Sequence, residues 1–331
     1  MPVLWCSLPI ALPILAAIVD FIVGDPWHWL HPVQIMGWGI QAYQRSLLRL
    51  CQSPRLQRLA GVGLGLGLPA LSGAIAGGSV LLVWQLSPWL GLSIAVVILA
   101  SCFAGRSLRQ AAEDVLKPLS QGNLLEARQR LRLYVGRDTQ TLSESEILRA
   151  VMENISENAT DGVLAPLFYA LIGLAIAPAV GIGLAIAYKA LSTLDSMVGY
   201  RKAPYTYLGW FSARTEDIAT WLPCRLAVVT IALWSRRPGH VWHVCRRDAP
   251  ADPSPNAGWS ECAYAAALGV QLGGKNTYQG KVRAKPLLGD SYCPITAATI
   301  RQGLQLTRWA FLSWLTLGLV GLIYRYGLNC G

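Results

Sequence analysis

Charged side chains are scarce in this sequence. Asp, Glu, Lys and Arg together make up 14% of the 331 residues, against 53% hydrophobic residues and a mean hydropathy of +0.39. Soluble domains usually carry about 25% charged residues. The shortage excludes an ordinary soluble protein of one or two domains, and it predicts that much of the chain faces lipid.

Acidic residues are scarcer than basic ones, so the formal net charge is +10. In a membrane protein such an excess first indicates orientation, because Lys and Arg concentrate in cytoplasmic loops. A nucleic-acid-binding protein would need a basic stripe on a soluble recognition fold, and the sequence has no such pattern. We therefore expect no nucleic-acid partner, whereas an anionic substrate stays open.

Motifs for disulfides, zinc binding and secretion are missing as well. None of the eight cysteines forms a C-x-x-C pair, and several lie in apolar runs, which favours buried, reduced thiols. The pairs His28/His31 and His240/His243 lack matching ligands, so interfacial histidines are favoured over zinc. The N-terminus has neither a basic start nor a small-residue cleavage site, which indicates a retained first span.

Apolar segments recur along the chain and predict an all-α, polytopic helical bundle in the membrane. A helix needs roughly 20 residues to cross a bilayer, so the second, third and fourth segments are the best candidates by length. We expect residues 1–331 to form a single integral membrane domain. The six segments are 8–24, 59–84, 86–104, 163–188, 218–234 and 310–324.

Small residues indicate how the second and third segments pack. A very short turn at Ser87–Pro88 separates them, so we expect a helical hairpin. Glycines on a membrane helix allow another helix to approach closely. In the second segment they are Gly61, Gly63, Gly65 and Gly67.

Prolines and charges interrupt other segments. Pro178 lies within 163–188, and Pro223 and Arg225 lie within 218–234, which predicts broken or re-entrant helices at both places. Such breaks would keep the polar loop between the two segments on the same side as the other polar blocks.

Between the apolar segments lie three polar blocks, 25–58, 105–162 and 235–309. Each block carries several Lys or Arg residues, and the positive-inside rule therefore predicts that all three lie in the cytoplasm. Within the second block, the spacing of leucines and arginines over Leu119–Leu133 predicts one amphipathic helix.

An acidic cluster lies just before the fourth apolar segment. Glu153 and Glu157 are four residues apart and share a helix face, while Asn154, Asn158 and Asp161 form the adjoining stripe. Like charges at this spacing repel unless a cation lies between them. Oxygen ligands suit Mg²⁺, so the block predicts a magnesium site at the membrane boundary. The alternative is an exposed, solvated helix face.

Two further polar blocks flank the loop after the fourth segment. Lys189 and Asp195 are candidates for binding phosphate and metal, with Thr193 beside them. Arg214 is a candidate for binding carboxylate or phosphate, because its planar guanidinium contacts two oxygens at once, and Asp217 is a further acid. The alternatives are a lysine that reaches to the interface, helix caps and an internal Arg–acid network.

A tight turn leads into a predicted helix after residue 254. Ser254 and Asn256 lie in this turn, and Glu261 follows on the helix. The run Gly269–Lys275 fits the beginning of a P-loop, but Asn276 follows where Ser or Thr is needed, and an Ala-rich helix precedes the run in place of a strand. We therefore exclude a P-loop, and any nucleotide must be held differently.

Asp25 and His31 lie where the first apolar segment ends. A fixed turn explains the prolines beside them. It does not explain an acid at the membrane boundary together with Asp20 inside the segment, because a charge there must face protein or water. Both a structural role and a binding role therefore stay open for this block.

Taken in order, these blocks resemble the adenosylcobinamide-phosphate synthase family, the CobD/CbiB proteins. The resemblance runs nearly end to end, which makes it far more specific than one short motif. Two departures are Glu216, where the family commonly has Asp, and Asp252–Pro253, where it commonly has His. The matching strings are GDP..W.HPV at 24–33, ENISENATDGVLAPLFY at 153–169, YKALSTLDSMVGY at 188–200, SAR..D at 212–217, SPNAGW.E at 254–261 and LGG...Y at 272–278.

The resemblance implies an amide-forming ligase of cobalamin biosynthesis. It would join a propionate carboxylate of adenosylcobyric acid to aminopropanol or its O-phosphate, with ATP and Mg²⁺. A carboxylate is a poor electrophile, so ATP would activate it as an acyl phosphate. A nearby carboxylate would help the amine by accepting its proton.

Roles within the matching strings follow from the charges of their side chains. Metal, Arg and Lys would hold the charged phosphates during transfer. We expect catalytic, metal or amine-binding roles for Glu153, Glu157 and Asp161, further catalytic or metal roles for Asp195 and Asp217, and substrate binding by Lys189, Arg214, Asn154, Asn158, Thr193, Ser254, Asn256, Glu261, Asp25 and His31.

Two other classes of function compete with the ligase. AmpE-like membrane proteins are linked to sensing or regulation, but would not be expected to keep every polar block. A transporter would explain broken helices and intramembrane charge, but the sequence lacks an inverted repeat. For the ligase we expect a multi-pass protein of the inner membrane with a cytoplasmic active site. A homo-oligomer or association with other cobalamin-assembly membrane proteins is compatible with this.

Overall fold

Helices make up most of the chain in the computed structural model, which describes residues 2–24, 31–50, 53–200 and 203–327. Runs rich in Leu, Ala and Val give the long helices. Prolines mark several helix starts, because the first turn of a helix does not use the amide hydrogen that Pro lacks. The prolines at such starts are Pro54, Pro88, Pro178 and Pro238.

The helices and strands are numbered in chain order. A π-helical turn, Ala159–Leu164, connects α7 directly to α8. The elements are α1 (Pro2–Ile22), α2 (Pro32–Leu50), α3 (Pro54–Leu86), α4 (Pro88–Ala100), α5 (Gly105–Ser120), α6 (Leu124–Leu131), α7 (Glu144–Asn158), α8 (Ala165–Leu174), α9 (Pro178–Val198), α10 (Tyr205–Leu208), α11 (Trp210–Trp234), α12 (Pro238–Asp248), α13 (Ala257–Leu268), β1 (Leu272–Tyr278), β2 (Lys281–Leu288) and α14 (Ala297–Gly327).

Within the described residues, three helices are long and apolar enough to cross a membrane: α3, α11 and α14. The pair α4 and α5 passes the same test together but is bent by 42°. The prediction of an all-α, polytopic membrane protein is therefore confirmed. Of the three segments favoured by length, only 59–84 forms a candidate span as a single helix.

The predicted break at Pro178 is confirmed. Helix α8 ends at Leu174 and α9 begins at Pro178, so the segment is two helices. The rings of Tyr169 and Tyr188 stack with their centroids 5.0 Å apart, although 19 positions separate them in sequence. The two helices therefore fold back on each other as a hairpin.

The predicted break at Pro223 is wrong. Helix α11 runs without interruption from Trp210 to Trp234 with Pro223 inside it. A proline removes one backbone donor, and helices in membranes tolerate this when neighbouring groups satisfy the freed carbonyl. The helix also begins eight residues before segment 218–234. Its first turns are polar, so a search for apolar runs does not include them.

The single amphipathic helix predicted over Leu119–Leu133 is also wrong. Helix α5 ends at Ser120, and α6 begins only at Leu124. Gly122 between them has a φ of +72°, a conformation that glycine adopts most easily. Asn123 then caps α6, since its side-chain oxygen accepts a hydrogen bond from the amide of Glu126 at 3.1 Å. Gly122 and Asn123 therefore impose a turn, although the helical spacing of the leucines continues across it.

The chain divides into two compact units. The first comprises Met1–Ala104, Ala165–Thr220 and Trp314–Gly331. Close helix packing in this unit rests on glycines of α3, as predicted for Gly61. A Cβ at Gly61 would meet the backbone carbonyl of Leu208, and one at Gly73 would lie 2.7 Å from the carbonyl oxygen of Gly183. By contrast, a Cβ at Gly67 would have no described atom within 4 Å, so that glycine has no such role here.

The second unit comprises Gly105–Leu164 and Trp221–Ser313. Its centre is α7, which begins with a capping box between Ser143 and Glu146. Helix α13 ends at Gly269 in the left-handed conformation, and β1 and β2 then pair as an antiparallel hairpin. The order helix then strand is the reverse of a P-loop, in agreement with its exclusion from the sequence.

Candidate active site

The acidic block of α7 continues into the π-helical turn. The wider turn of a π-helix is rare and frequently marks a functional site. Asp161 lies in this turn and is half-buried, while Glu157 is exposed on the last turn of α7. The amide of Asn158 donates to both the backbone carbonyl and the side-chain oxygen of Asn154, at 2.9 Å each. The predicted polar stripe is therefore present, with its two amides bonded to each other.

Glu153 lies inside the second unit and is 1% exposed. Its Oε2 accepts a hydrogen bond from the guanidinium of Arg137, and its Oε1 accepts one from Nη1 of Arg149 at 3.1 Å. The amide of Gly273 donates to the same Oε1 at 2.9 Å. Both carboxylate oxygens thus contact donors, two of them cationic. Through these contacts Glu153 connects α7 to the start of the β1–β2 hairpin.

Asn276 extends this network along β1. Its Oδ1 accepts from Nη1 of Arg137 at 2.9 Å and from Nη2 of Arg149 at 3.1 Å. Arg149 also donates to the backbone carbonyl of Gly273. At the far end, Asp138 accepts from the amides that form the hairpin turn, at 3.1 and 2.8 Å. The hairpin is therefore fixed to α7 and to the chain before it at several points.

Glu261 on α13 is completely buried and is the second acid of this region. Its Oε1 lies 3.2 Å from Nζ of Lys285 on β2. Its Oε2 is buried and has no hydrogen-bond partner among the described residues. Burial raises the pKa of Glu261 to about 8; the charge of Lys285 opposes this rise, and the carboxylates of Glu157 and Glu153 add to it.

Lys285 is surrounded by acids. Burial alone would lower its pKa, but Glu261, Glu157, Glu153 and Asp252 together raise it above its ordinary value. The side chain therefore stays an ammonium ion at neutral pH. One cation among several carboxylates leaves the region acidic overall, which suits a cationic ligand.

The turn before α13 is built as the sequence predicts. Ser254 accepts hydrogen bonds from the amides of Asn256 and Ala257, at 3.3 and 3.0 Å, and so starts the helix. Arg225 of α11 donates to Oδ1 of Asn256 at 3.1 Å and to the carbonyl of Pro255 at 2.9 Å. Ser254 and Asn256 thus use these polar groups to hold the turn.

Small hydroxyl groups connect α13 to α7. Ser260 donates to the backbone carbonyl of Ser156, and its oxygen lies 2.8 Å from that of Thr160. Asp252 completes the turn, because its Oδ1 accepts from the amide of Ser254 at 2.8 Å, while its Oδ2 is buried with no hydrogen-bond partner in the described chain. Parts of three strings of the sequence therefore meet within this unit, at 153–164, 254–261 and 272–278.

The remaining predicted residues belong to the first unit. Lys189 and Asp195 are half-buried on α9, and the hydroxyl of Thr193 donates to the carbonyl of Lys189 at 2.7 Å, so it is bonded within its own helix. On α11, Arg214 is exposed and Asp217 is half-buried.

Two inward-facing residues of the 212–217 string were not among the predicted binding residues. Glu216 is buried and accepts a hydrogen bond from the hydroxyl of Thr220, which in turn lies 2.8 Å from the hydroxyl of Tyr188. The hydroxyl of Ser212 is buried with no partner among the described residues. The buried polar face of α11 is thus carried by Ser212, Glu216 and Thr220.

Asp25 lies outside the described residues. His31 lies at the start of α2, where its Nδ1 accepts from the amide of Val33 at 3.2 Å and its own amide donates to Gln34 at 3.3 Å. These contacts form a local turn before the helix.

A magnesium site made only of protein side chains does not fit this arrangement. Between residues 8 and 327, the described side chains include no group of three or more His, Cys, Asp or Glu that could hold a metal ion. Both oxygens of Glu153 already accept hydrogen bonds. Mg²⁺ often binds through one or two carboxylates together with substrate phosphates, so magnesium binding by Glu153, Glu157 and Asp161 stays a prediction.

Several residues of this site were not predicted from the sequence. Arg137 and Arg149 lie near the acidic block but outside it, and nothing in their spacing indicates a buried pair. Asn276 was noted only because it breaks the P-loop pattern, and Lys285 lies in a basic loop among other cations. Only a general rule could have indicated them: acids that are buried require cationic partners, so basic residues near the acidic block are candidates.

Comparisons with known proteins give a single family. The family described as CobD/Cbib protein matches residues 13–307. The cobalamin biosynthesis protein CobD of Synechocystis sp. is 53% identical over 305 residues, covering 92% of this chain and 89% of the relative. The cobalamin biosynthesis protein CbiB of Salmonella arizonae is 40% identical over 308 residues, covering 91% of each. No solved structure matches. The chain therefore belongs to the CobD/CbiB family and has a role in cobalamin biosynthesis.

Proposed function

We propose that this protein is an ATP-dependent amide ligase that joins a propionate carboxylate of adenosylcobyric acid to aminopropanol or aminopropanol phosphate. Its product is adenosylcobinamide or its phosphate. Family membership supports a biosynthetic step on a corrinoid. The observation that carries the proposal further is the acidic environment of Lys285 in the second unit, where the charges of Glu261, Glu157 and Asp252 act on this ammonium group.

An acidic region suits the amine substrate. Aminopropanol carries a positive charge at neutral pH, and a carboxylate with an unpaired oxygen attracts an ammonium group most strongly where water is excluded. Glu261 offers such an oxygen. The corrinoid carboxylate is an anion and a poor electrophile. Its conversion by ATP to an acyl phosphate would make the carbonyl carbon electrophilic and move the negative charge to the phosphate, which needs cationic partners of its own.

Anionic groups need cationic partners. The candidates are Lys189 and Arg214, which would bind phosphate or carboxylate. Asp195 and Asp217 would hold Mg²⁺ that enters with the phosphates of ATP, since Mg²⁺ usually bridges a few carboxylates to substrate phosphates.

The reaction also implies a location. ATP is cytoplasmic, so the acidic region of the second unit would face the cytoplasm from the inner membrane. The excess of Lys and Arg in residues 235–309 supports this orientation.

The test uses purified protein in nanodiscs with adenosylcobyric acid, aminopropanol or its phosphate, ATP and Mg²⁺. We expect a product whose mass equals that of the two substrates less one water, formed only with ATP. An AmpE-like regulatory protein would give no product under any condition, and a transporter would move the amine across vesicles without ATP. Either result would contradict the ligase.

A further inference from the structure

Glu261 combines three features that no other described acid of the second unit combines. Its side chain is completely buried, its Oε1 is held by a cation, and its Oε2 has no hydrogen-bond partner among the described residues. An unpaired buried oxygen is costly, because the lost contact with water is not replaced. Such an oxygen is retained where a ligand supplies the missing donor.

The missing donor is an N–H or O–H group, and the surrounding charges favour a cationic one. Lys285 of β2 contacts Oε1 of Glu261, and the charges of Glu153 and Glu157 on α7 also act on the pKa of Glu261. Two arginines neutralise Glu153, so the charges of Glu261, Glu157 and Asp252 act on one ammonium group, that of Lys285. A second ammonium group at Oε2 would restore the balance of charge.

We infer that Oε2 of Glu261 binds the amino group of the amine substrate and accepts its proton before amide formation, and that Lys285 positions Glu261 for this role. The inference rests on the proposed ligase function. The general base is then Glu261 and not an acid of α7, because both oxygens of Glu153 already accept hydrogen bonds.

Amide formation then takes two proton transfers and one acyl transfer. The ammonium group has no lone pair, so it first transfers one proton to Oε2 of Glu261. The amine nitrogen then forms a bond to the carbonyl carbon of the acyl phosphate made with ATP. The bond between that carbon and the phosphate oxygen breaks, phosphate leaves with the electron pair, and the second nitrogen proton passes to the departing phosphate.

The pKa of Glu261 suits a general base. A general base is most effective when its pKa lies near the working pH, and that of Glu261 is raised to about 8. Lys285 keeps part of the population ionised, because a neighbouring cation favours the carboxylate form. Removal of this cation therefore raises the pKa of Glu261 further.

The first test separates proton acceptance from activation of the carboxylate. Hydroxylamine is uncharged at neutral pH, so it attacks an acyl phosphate without a base. We expect Glu261→Gln to lower the rate of amide formation with aminopropanol by about 10²- to 10⁴-fold, and to leave ATP-dependent hydroxamate formation within a few-fold of the wild type.

Three outcomes would overturn the inference. Amide formation by Glu261→Gln at the wild-type rate excludes a proton transfer to Glu261. Loss of the hydroxamate together with the amide means that Glu261 supports the fold or the activation step. Failure of the wild type to give either product overturns the ligase proposal, and this inference with it.

The second test measures the rate of amide formation against pH for variants of Lys285. Activity requires the ionised form of Glu261, so it rises with pH through the pKa of that group. Lys285→Met should shift this rise to higher pH, and Lys285→Arg should restore it towards the wild-type position. Lys281→Met is the matched control, because Lys281 lies on the same strand and is exposed. A rise that does not move in Lys285→Met would contradict the positioning role.

Discussion

The ion-pair network around Glu153 predicts that Glu153→Gln destabilises the second unit. Gln keeps the size of the side chain but removes its charge. Arg137 and Arg149 would then lie with 7% and 15% of their side chains exposed and without this carboxylate. Breaking a buried pair by removal of one partner costs about 3–5 kcal/mol. Since the amide oxygen of Gln still accepts one hydrogen bond, we expect a value near the lower end, about 3 kcal/mol.

Glu126→Gln is the matched control. Glu126 pairs with Arg130 at 3.3 Å in the same unit, but both side chains are more than 40% exposed. Exposed pairs at this helical spacing contribute only about 0.2–0.5 kcal/mol. Unfolding of the purified protein in detergent, followed by tryptophan fluorescence against denaturant, measures the difference between the two variants. Exchange of the amide hydrogen of Gly273, which donates to Glu153, should become faster only in Glu153→Gln.

The result also distinguishes a stabilising role from a catalytic one. A Glu153→Gln variant as stable as Glu126→Gln, yet inactive, would refute the stabilising role and return Glu153 to the metal or amine site. Arg137→Gln in the Glu153→Gln background removes one of the two uncompensated charges. We therefore expect it to recover part of the lost stability, with a coupling energy of about 0.5–3 kcal/mol.

Three further predictions concern a close helix contact, the buried carboxyl group of Glu261 and the orientation of the hairpin in the membrane. Gly61→Ala should destabilise the first unit by about 1–3 kcal/mol in detergent unfolding, because its Cβ meets a backbone carbonyl, whereas Gly67→Ala should not. Stability should fall between about pH 4.3 and pH 8 by up to about 1.4 kcal/mol per pH unit through Glu261 alone, since its raised pKa favours the protonated form in the fold. Glu261→Gln should flatten that part of the stability curve; an unchanged slope would contradict the raised pKa. Ala284→Cys in a Cys-free background should react with an impermeant thiol reagent in inverted vesicles and not in intact cells, and labelling from outside would contradict the cytoplasmic orientation.

Local features of the fold were predictable because the responsible residues act on their own neighbourhood. Pro178 ends one helix and starts another, Ser254 starts α13, and Gly61 allows close packing wherever a neighbour approaches. The helix before Gly269–Lys275 excluded a P-loop for the same reason. Each prediction needed only a few adjacent residues.

Contacts between distant parts of the chain were not predictable in this way. The amide of Gly273 that bonds to Glu153 is 120 positions away, and Lys285 is 24 positions from Glu261. Spacing on α7 correctly placed acids near one another, but it did not reveal that buried arginines neutralise Glu153. The uninterrupted α11 escaped detection because its first turns are polar and Pro223 suggested a break.

The most direct test of the proposed ATP-dependent amide ligation follows one oxygen atom of the corrinoid carboxylate. Adenosylcobyric acid labelled with ¹⁸O in its free propionate carboxylate is incubated with the wild-type protein, aminopropanol or its phosphate, ATP and Mg²⁺, and the released phosphate is analysed by mass spectrometry. Activation as an acyl phosphate predicts that one ¹⁸O passes to phosphate for each amide formed, because the bond between the carbonyl carbon and that oxygen breaks. Amide formation with no ¹⁸O in the phosphate, or no amide at all, would contradict the claim.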